Sequence, residues 1–210
     1  MAYRVLIVDD QTLPRQYFES IVNSSENYVL VASIASATVA DAYCINNRVD
    51  LIIMDIVMSE GISGLEAAER IKRSYPSVKI LMVTSMPDSV FLSKAKEMNV
   101  DSFWYKEVQD APMLEVMDRK MAGEHIWPDR APTVKLGLAD SSEFTEKELE
   151  VLRYIAMGHT NQEIADELMI SVNTVKFHLT NLISKTGCNS KIELAILATK
   201  SGLVVPNSNS

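Results

Sequence analysis

Apolar positions along the chain fall into two regimes. Up to about residue 121, short apolar runs such as YRVLIV (3–8) and LIIM (51–54) alternate with longer stretches whose apolar positions recur every three or four residues. The runs predict strands at Tyr3–Val8, Tyr28–Ser33, Leu51–Met54, Lys79–Val83 and Asp101–Tyr105. The stretches between and after them predict helices near 12–23, 38–47, 64–74, 88–97 and 110–121. Near-continuous apolar strands are buried on both faces, and regular alternation with helices implies crossover connections. The expected fold is therefore α/β, a doubly wound five-stranded parallel sheet covered on both sides.

Beyond about residue 144 no strand pattern remains. Thr145 with Glu148, and Thr160 with Glu163, fit the capping box, in which two side chains satisfy orphan amides at a helix start. Ser171 is a third N-cap candidate, followed by Val172, Val175, Leu179, Leu182 and Ile183 at helical spacing. Helices near 145–157, 161–168, 172–186 and 190–201 follow, a small all-α domain of four helices. Between the halves, GEHIWPDRAPTVKLGLADSSE is rich in Pro, Gly and Ser and reads as a linker, with Ile126-Trp127 pinned against a domain. The predicted organisation is 1–123, a linker at 124–143, and 144–210.

Composition adds three constraints. With 47% hydrophobic residues the chain can build cores, and no apolar run approaches the roughly 18 residues of a membrane span, so a cytoplasmic protein with no membrane partner is expected. Cys44 and Cys188 lie far apart and outside any metal spacing, which argues against a disulfide or zinc site. The net charge of −8 argues against nucleic acid until its distribution is considered. Residues 171–191 hold Lys176, Lys185 and Lys191 and no acid, so a basic face is possible on an acidic molecule.

Ligands of open parallel sheets bind outside the carboxyl ends of the strands. Those ends carry Asp9 and Asp10 after the first strand, Asp55 after the third, Thr84 after the fourth and Lys106 after the fifth. Taken singly, an acid after a strand is most often a turn or cap residue. Together they bring three carboxylates, a hydroxyl and an ammonium into one crevice. Carboxylates held close repel one another, and an all-oxygen site with few ligands suits Mg²⁺ retaining several waters. No GxGxxG follows the first strand, which disfavours a dinucleotide site.

This combination resembles the receiver domains of response regulators, a flavodoxin-like fold. The resemblance implies that Asp55 accepts a phosphoryl group from a histidine kinase. It also implies that Asp10, Asp55 and the Val57 carbonyl hold Mg²⁺, with Asp9 acting through water. Lys106 and Thr84 would bind phosphoryl oxygens, and Phe103 would be the aromatic switch residue. Two departures stand out: Ser59 replaces the Pro usual in that loop, and Gly64 comes nine residues after Asp55 rather than eight. The loop is expected to be more mobile for it. Val57 and Met86, two residues beyond Asp55 and Thr84, are apolar and cannot orient a water, so slow loss of the phosphoryl group is expected.

TNQEIADELMISVNTVKFH and LTNLISKTGCNSKIELA closely resemble the LuxR/NarL-type DNA-binding domain, over roughly 144–204. Its two central helices form a helix-turn-helix whose second helix enters the major groove. The residues placed at DNA are Asn173, Thr174, Lys176, Phe177, His178, Thr180, Asn181 and Lys185. Three lysines grip DNA weakly, so two copies on a two-fold site are expected, with the last helix (Ile192, Ala195, Ile196) a candidate dimer surface. The expected protein is a two-component transcription regulator that phosphorylation turns into a DNA-binding homodimer. One alternative is a regulator of the same architecture acting without phosphorylation. Another, a hydrolase using Asp55 as transient nucleophile, lacks a second acid at Val57 and leaves the helix-turn-helix unused.

Overall fold

The computed structural model describes residues 2–58, 61–87, 89–98, 100–106, 112–201 and 203–204. The chain divides into two compact units, with the boundary along the sequence between Arg130 and Ala131. In the first unit, β1 (Tyr3–Val8), α1 (Thr12–Asn23), β2 (Tyr28–Ile34), α2 (Ala40–Asn46), β3 (Leu51–Asp55), α3 (Gly64–Ser74), β4 (Lys79–Thr84), α4 (Ser89–Glu97), β5 (Ser102–Tyr105) and α5 (Met113–Met121) follow one another. The five strands form a parallel sheet in the order β2-β1-β3-β4-β5. Residues 110 and 111, where the helix after the last strand was expected to begin, and the loop residue Ser59 lie outside the described residues.

Side chains alternate between the two faces of the sheet. Val5, Ile7, Leu51, Ile53, Leu81, Val83 and Trp104 form one core with Phe18 and Val22 of α1 and Met113, Val116 and Met117 of α5. The intervening Leu6, Val8, Ile52, Met54, Ile80 and Met82 are fully buried on the opposite face. There α3 packs near β3 and β4 and buries Leu65, Ala67, Ala68 and Ile71. Burying each large aliphatic side chain is worth about 1.5–3 kcal/mol. The acids at the strand ends therefore hang on a stiff scaffold.

The second unit contains a short antiparallel hairpin, β6 (Lys135–Leu136) and β7 (Ala139–Asp140), and helices α6 (Glu146–Ala156), α7 (Asn161–Glu167), α8 (Val172–Thr186) and α9 (Lys191–Lys200). Both capping boxes form in full: Thr145 and Glu148 exchange bonds at the start of α6, and Thr160 and Glu163 at the start of α7. Ser171 and Ser190 cap α8 and α9 through the amides of Thr174 and Glu193. Leu149, Leu152, Ile155, Ile164, Val175, Leu182, Leu194 and Ala198 meet in one core.

The hairpin was not expected; the sequence pattern had placed it in the linker. Gly137, at φ 63°, makes its turn, and a Cβ there would stand 2.1 Å from the Thr186 carbonyl oxygen. The next amide, that of Leu138, donates to the same oxygen at 3.0 Å. Two residues of alternation are too short a signal to read, yet the hairpin seals the end of α8 and buries Leu136. Residues 124–130 group with the sheet unit instead.

Candidate functional site

The strand order reverses beside β1 and β3, so the loops after these strands part and leave a crevice. Asp9, Asp10 and Asp55 each place a carboxylate oxygen there, all within 4.8 Å of one another. Asp9 is wholly buried and Asp55 nearly so. Lys106 enters from the end of β5, its Nζ 2.7 Å from Asp9 Oδ2 and 3.3 Å from Asp55 Oδ1. Thr84, also wholly buried, ends β4, and its carbonyl accepts the Lys106 amide at 2.8 Å. The strand ends thus bring together the acids, the ammonium and the Thr84 position read from the sequence.

Asp55 is held in an unusual electrostatic state. Burial pushes its carboxyl up to about 7; Lys106 opposes the rise, Asp9 adds to it, and the Ile56 amide, donating to Oδ1 at 2.9 Å, opposes it again. Such a group is costly to ionise without a further cation. Three oxygen donors at this separation fit a small hard cation such as Mg²⁺.

Three supporting contacts were missed in the sequence. Arg15 Nη1 donates to the Asp9 carbonyl at 2.8 Å, and the Gln11 amide donates to Asp9 Oδ1 at 2.9 Å. Phe18 places its ring 6.0 Å from Lys106 Nζ. Arg15 carried no motif of its own; only its position one turn into α1 could have pointed to it.

Gly64 begins α3, capped by Ser63 and Glu66, and its amide donates to the Ile56 carbonyl at 3.0 Å. Val57, whose carbonyl was expected at the metal, lies half-buried on the loop between them. Phe103 is buried, edge-on to Tyr105 at 5.0 Å and stacked on Trp127 at 6.3 Å.

On α8, Val175 and Leu182 are buried, while Val172, Leu179 and Ile183 pack partly against the core. The opposite face exposes Asn173, Lys176, Phe177 and Thr180; Thr174, His178 and Asn181 are half-buried beside it. Phe177 is 62% exposed and meets only the edge of His178 among the ring contacts, at 5.7 Å, so its apolar surface faces outward. Thr174 shares a hydrogen bond with Ser171 at 2.8 Å.

Lys185, expected at DNA, is engaged within its own domain. Its ammonium bonds Glu148 Oε2 at 2.7 Å and the Glu143 carbonyl at 2.8 Å. Burial would raise the Glu148 carboxyl, but the bonds from Lys185 and Thr145 outweigh it and hold the group below the usual range. A buried carboxylate thus holds the ammonium that the family resemblance places at DNA. Lys191 is also engaged, by the His159 carbonyl and Asn161 Oδ1.

A parallel sheet with an acidic, lysine-bearing crevice, followed by a capped helix-turn-helix, defines a two-domain regulator. Residues 5–118 match the response regulator receiver domain family, and residues 142–198 match the luxR family of bacterial regulatory proteins. The chain is 31% identical to response regulator protein VraR of Staphylococcus aureus and 30% identical to that of Staphylococcus epidermidis. Each alignment covers 97% of this chain and all of the relative. Among solved structures, RcsB from Salmonella enterica serovar Typhimurium, bound to promoter P1flhDC in the presence of phosphomimetic BeF3⁻, shares the fold. It matches with a TM-score of 0.61 and 20% identity over 97% of this chain and 100% of that one. Response regulator ChrA of a heme-sensing two-component system matches with a TM-score of 0.51 and 22% identity, over 96% and 98%. The chain belongs to the response regulators, as a receiver domain followed by a LuxR-type DNA-binding domain. Among the described residues, no helix is long and apolar enough to cross a membrane.

Proposed function

We propose that a histidine kinase phosphorylates this protein on Asp55, and that the phosphorylated form dimerises and binds promoter DNA sequence-specifically. The observation that carries this reading is the convergence of Asp9, Asp10 and Asp55 within 4.8 Å, with Lys106 against two of them. Asp10, Asp55 and the Val57 carbonyl would hold Mg²⁺, and Asp9 would act through its water. Bound there, the cation neutralises charge shared by the acceptor and the phosphoryl oxygens. Buried, and with Oδ1 accepting from the Ile56 amide, Asp55 offers a carboxylate oxygen to the phosphorus, and the O–P bond forms as the P–N bond of the kinase phosphohistidine breaks and the imidazole leaves. Lys106 and Thr84 then take up phosphoryl oxygens, and Phe103 follows Thr84 as the switch residue. Val57 and Met86 offer no group to orient water, so the phosphoryl group is lost slowly.

Asn173, Thr174, Lys176, Phe177, His178, Thr180 and Asn181 form the DNA-facing set, with Phe177 suited to a thymine methyl. Ile192 and Ile196 on α9, 73% and 51% exposed, supply the surface for a second copy. RcsB, whose fold this chain shares, has been solved as dimers bound to DNA. The test is intact-mass measurement after a small phosphodonor with Mg²⁺, with Asp55→Asn as control, followed by sedimentation and DNA binding. A mass gain of one phosphoryl group confined to wild type is expected. An unchanged mass would sink the reading.

A further inference from the structure

β5 is the last strand of its sheet, and the chain leaving α5 returns along its outer edge. The Ile126 carbonyl accepts the Phe103 amide at 2.8 Å, and the Ile126 amide donates to Ser102 Oγ at 3.0 Å. One step earlier, His125 Nδ1 lies 3.0 Å from the Asp101 carbonyl, and Lys120 Nζ holds the Glu124 carbonyl at 2.8 Å. Trp127 then lies over Phe103, its ring tilted by only 23°, with Lys96 Nζ of α4 5.5 Å from its centroid. Phe103 also meets Tyr105 edge-on at 5.0 Å, and Tyr105 is the register partner of Thr84. A continuous row of contacts therefore runs from the strand end beside the acidic crevice to Trp127.

We infer that residues 124–127 form a strap seated by Phe103, and that a shift of Phe103 on phosphorylation unseats Trp127 and frees the strap. The inference rests on the reading of Asp55 as phosphoacceptor and Phe103 as its switch. Its consequence is a change in tether length. Val134 is fixed to Ser141 in the second unit, its amide donating to Oγ at 3.0 Å and its carbonyl accepting at 2.8 Å. With the strap seated, only residues 128–133 are left to span between the units, an extended reach of about 20 Å; with it free, residues 124–133 reach about 35 Å. Half-sites on DNA lie about 34 Å apart, so the gain per chain is a sizeable part of what two tethered helix-turn-helix units must cover.

Trp104 and Trp127 are the only tryptophans, so Trp104→Phe leaves Trp127 as the sole reporter in the full chain. Adding beryllofluoride with Mg²⁺ should red-shift its emission and raise acrylamide quenching about two- to threefold, as a stacked ring enters water. A second arm needs no phosphoryl chemistry. Tryptic cleavage after the exposed Arg130 should be about three- to tenfold faster in Trp127→Ala than in wild type, with Trp127→Phe near wild type. A phosphodonor mass gain without any change in Trp127 emission overturns the strap and leaves the acceptor reading standing. Absence of the mass gain overturns the acceptor reading, and the strap is then judged by the proteolysis, where cleavage of Trp127→Ala at the wild-type rate overturns it.

Discussion

A Cβ atom on Gly64 would lie 1.8 Å from the backbone oxygen of Asp55. The first turn of α3 is thus packed directly against the main chain of Asp55, closer than any side chain permits. Gly64→Ala must push the helix start off the strand or tilt the Asp55 peptide. Overpacking of this kind costs about 1–3 kcal/mol. The expected outcome is a lower midpoint in chemical denaturation and a slower mass gain with a small phosphodonor. A variant that unfolds normally and phosphorylates at the wild-type rate would show that the crevice absorbs the displacement.

The same residue shows where sequence reasoning stopped. Counting from Asp55 made Gly64 look one place late. The structure gives that position a physical reason, since the Asp55 carbonyl oxygen leaves no room for a Cβ where α3 begins. Asp9, Asp10, Asp55, Thr84 and Lys106 were legible because strand ends are set by apolar runs, and a run states both its burial and its exit. Arg15 acts through a main-chain carbonyl, which no side-chain pattern encodes. The engagement of Lys185 was not legible because charge is visible in a sequence while its pairing with Glu148, 37 residues earlier, is not. The β6–β7 hairpin was hidden by its brevity, and the edge pairing of Ile126 with β5 by its dependence on a backbone placed far away in sequence.

Asp55 makes the stability of the metal-free protein depend on pH. Its folded-state pKa, about 7, stands above the ordinary carboxyl value of 3.8, so the folded form binds the proton more tightly than the unfolded chain does. The contribution is fully present below about 4 and is lost as pH rises through about 7, because ionisation is then resisted by burial and by Asp9. Metal-free wild type should lose thermal midpoint across that window relative to Asp55→Asn, which has no such group to titrate. Adding Mg²⁺ should flatten the wild-type slope, since the cation favours the ionised carboxylate. Parallel slopes for the two proteins in chelator would refute the assignment.

Lys106 occupies the charge balance of the crevice. It bonds Asp9 at 2.7 Å and lies 3.3 Å from Asp55, with both carboxylates buried. Removing one partner of a buried pair strands the other and typically costs about 3–5 kcal/mol. Lys106→Met should therefore destabilise the metal-free protein by an amount of that order. It should also strengthen Mg²⁺ binding, because the competing ammonium is gone. Calorimetric titration of Mg²⁺ at neutral pH and denaturation with and without the metal measure both effects. Equal Mg²⁺ affinity in the two proteins would mean that Lys106 and the cation do not compete for the same oxygens.

Lys176 and Lys185 lie on one helix and should behave oppositely. Lys176 is exposed on the outer face of α8, whereas Lys185 is bound to Glu148 and to the Glu143 carbonyl. Each phosphate neutralised releases counterions and adds about 0.9 to the slope of log affinity against log salt. Lys176→Ala should weaken binding to many DNA sequences and reduce that slope by about one per DNA-binding unit, about two for a dimer. Lys185→Ala should leave the slope unchanged and instead lower the unfolding midpoint, because Glu148 loses the cation that offsets its burial. The salt dependence of DNA binding, measured for both variants by fluorescence anisotropy, separates the two roles. A slope reduced by Lys185→Ala would return that lysine to the DNA contact set and require its pair with Glu148 to open on binding.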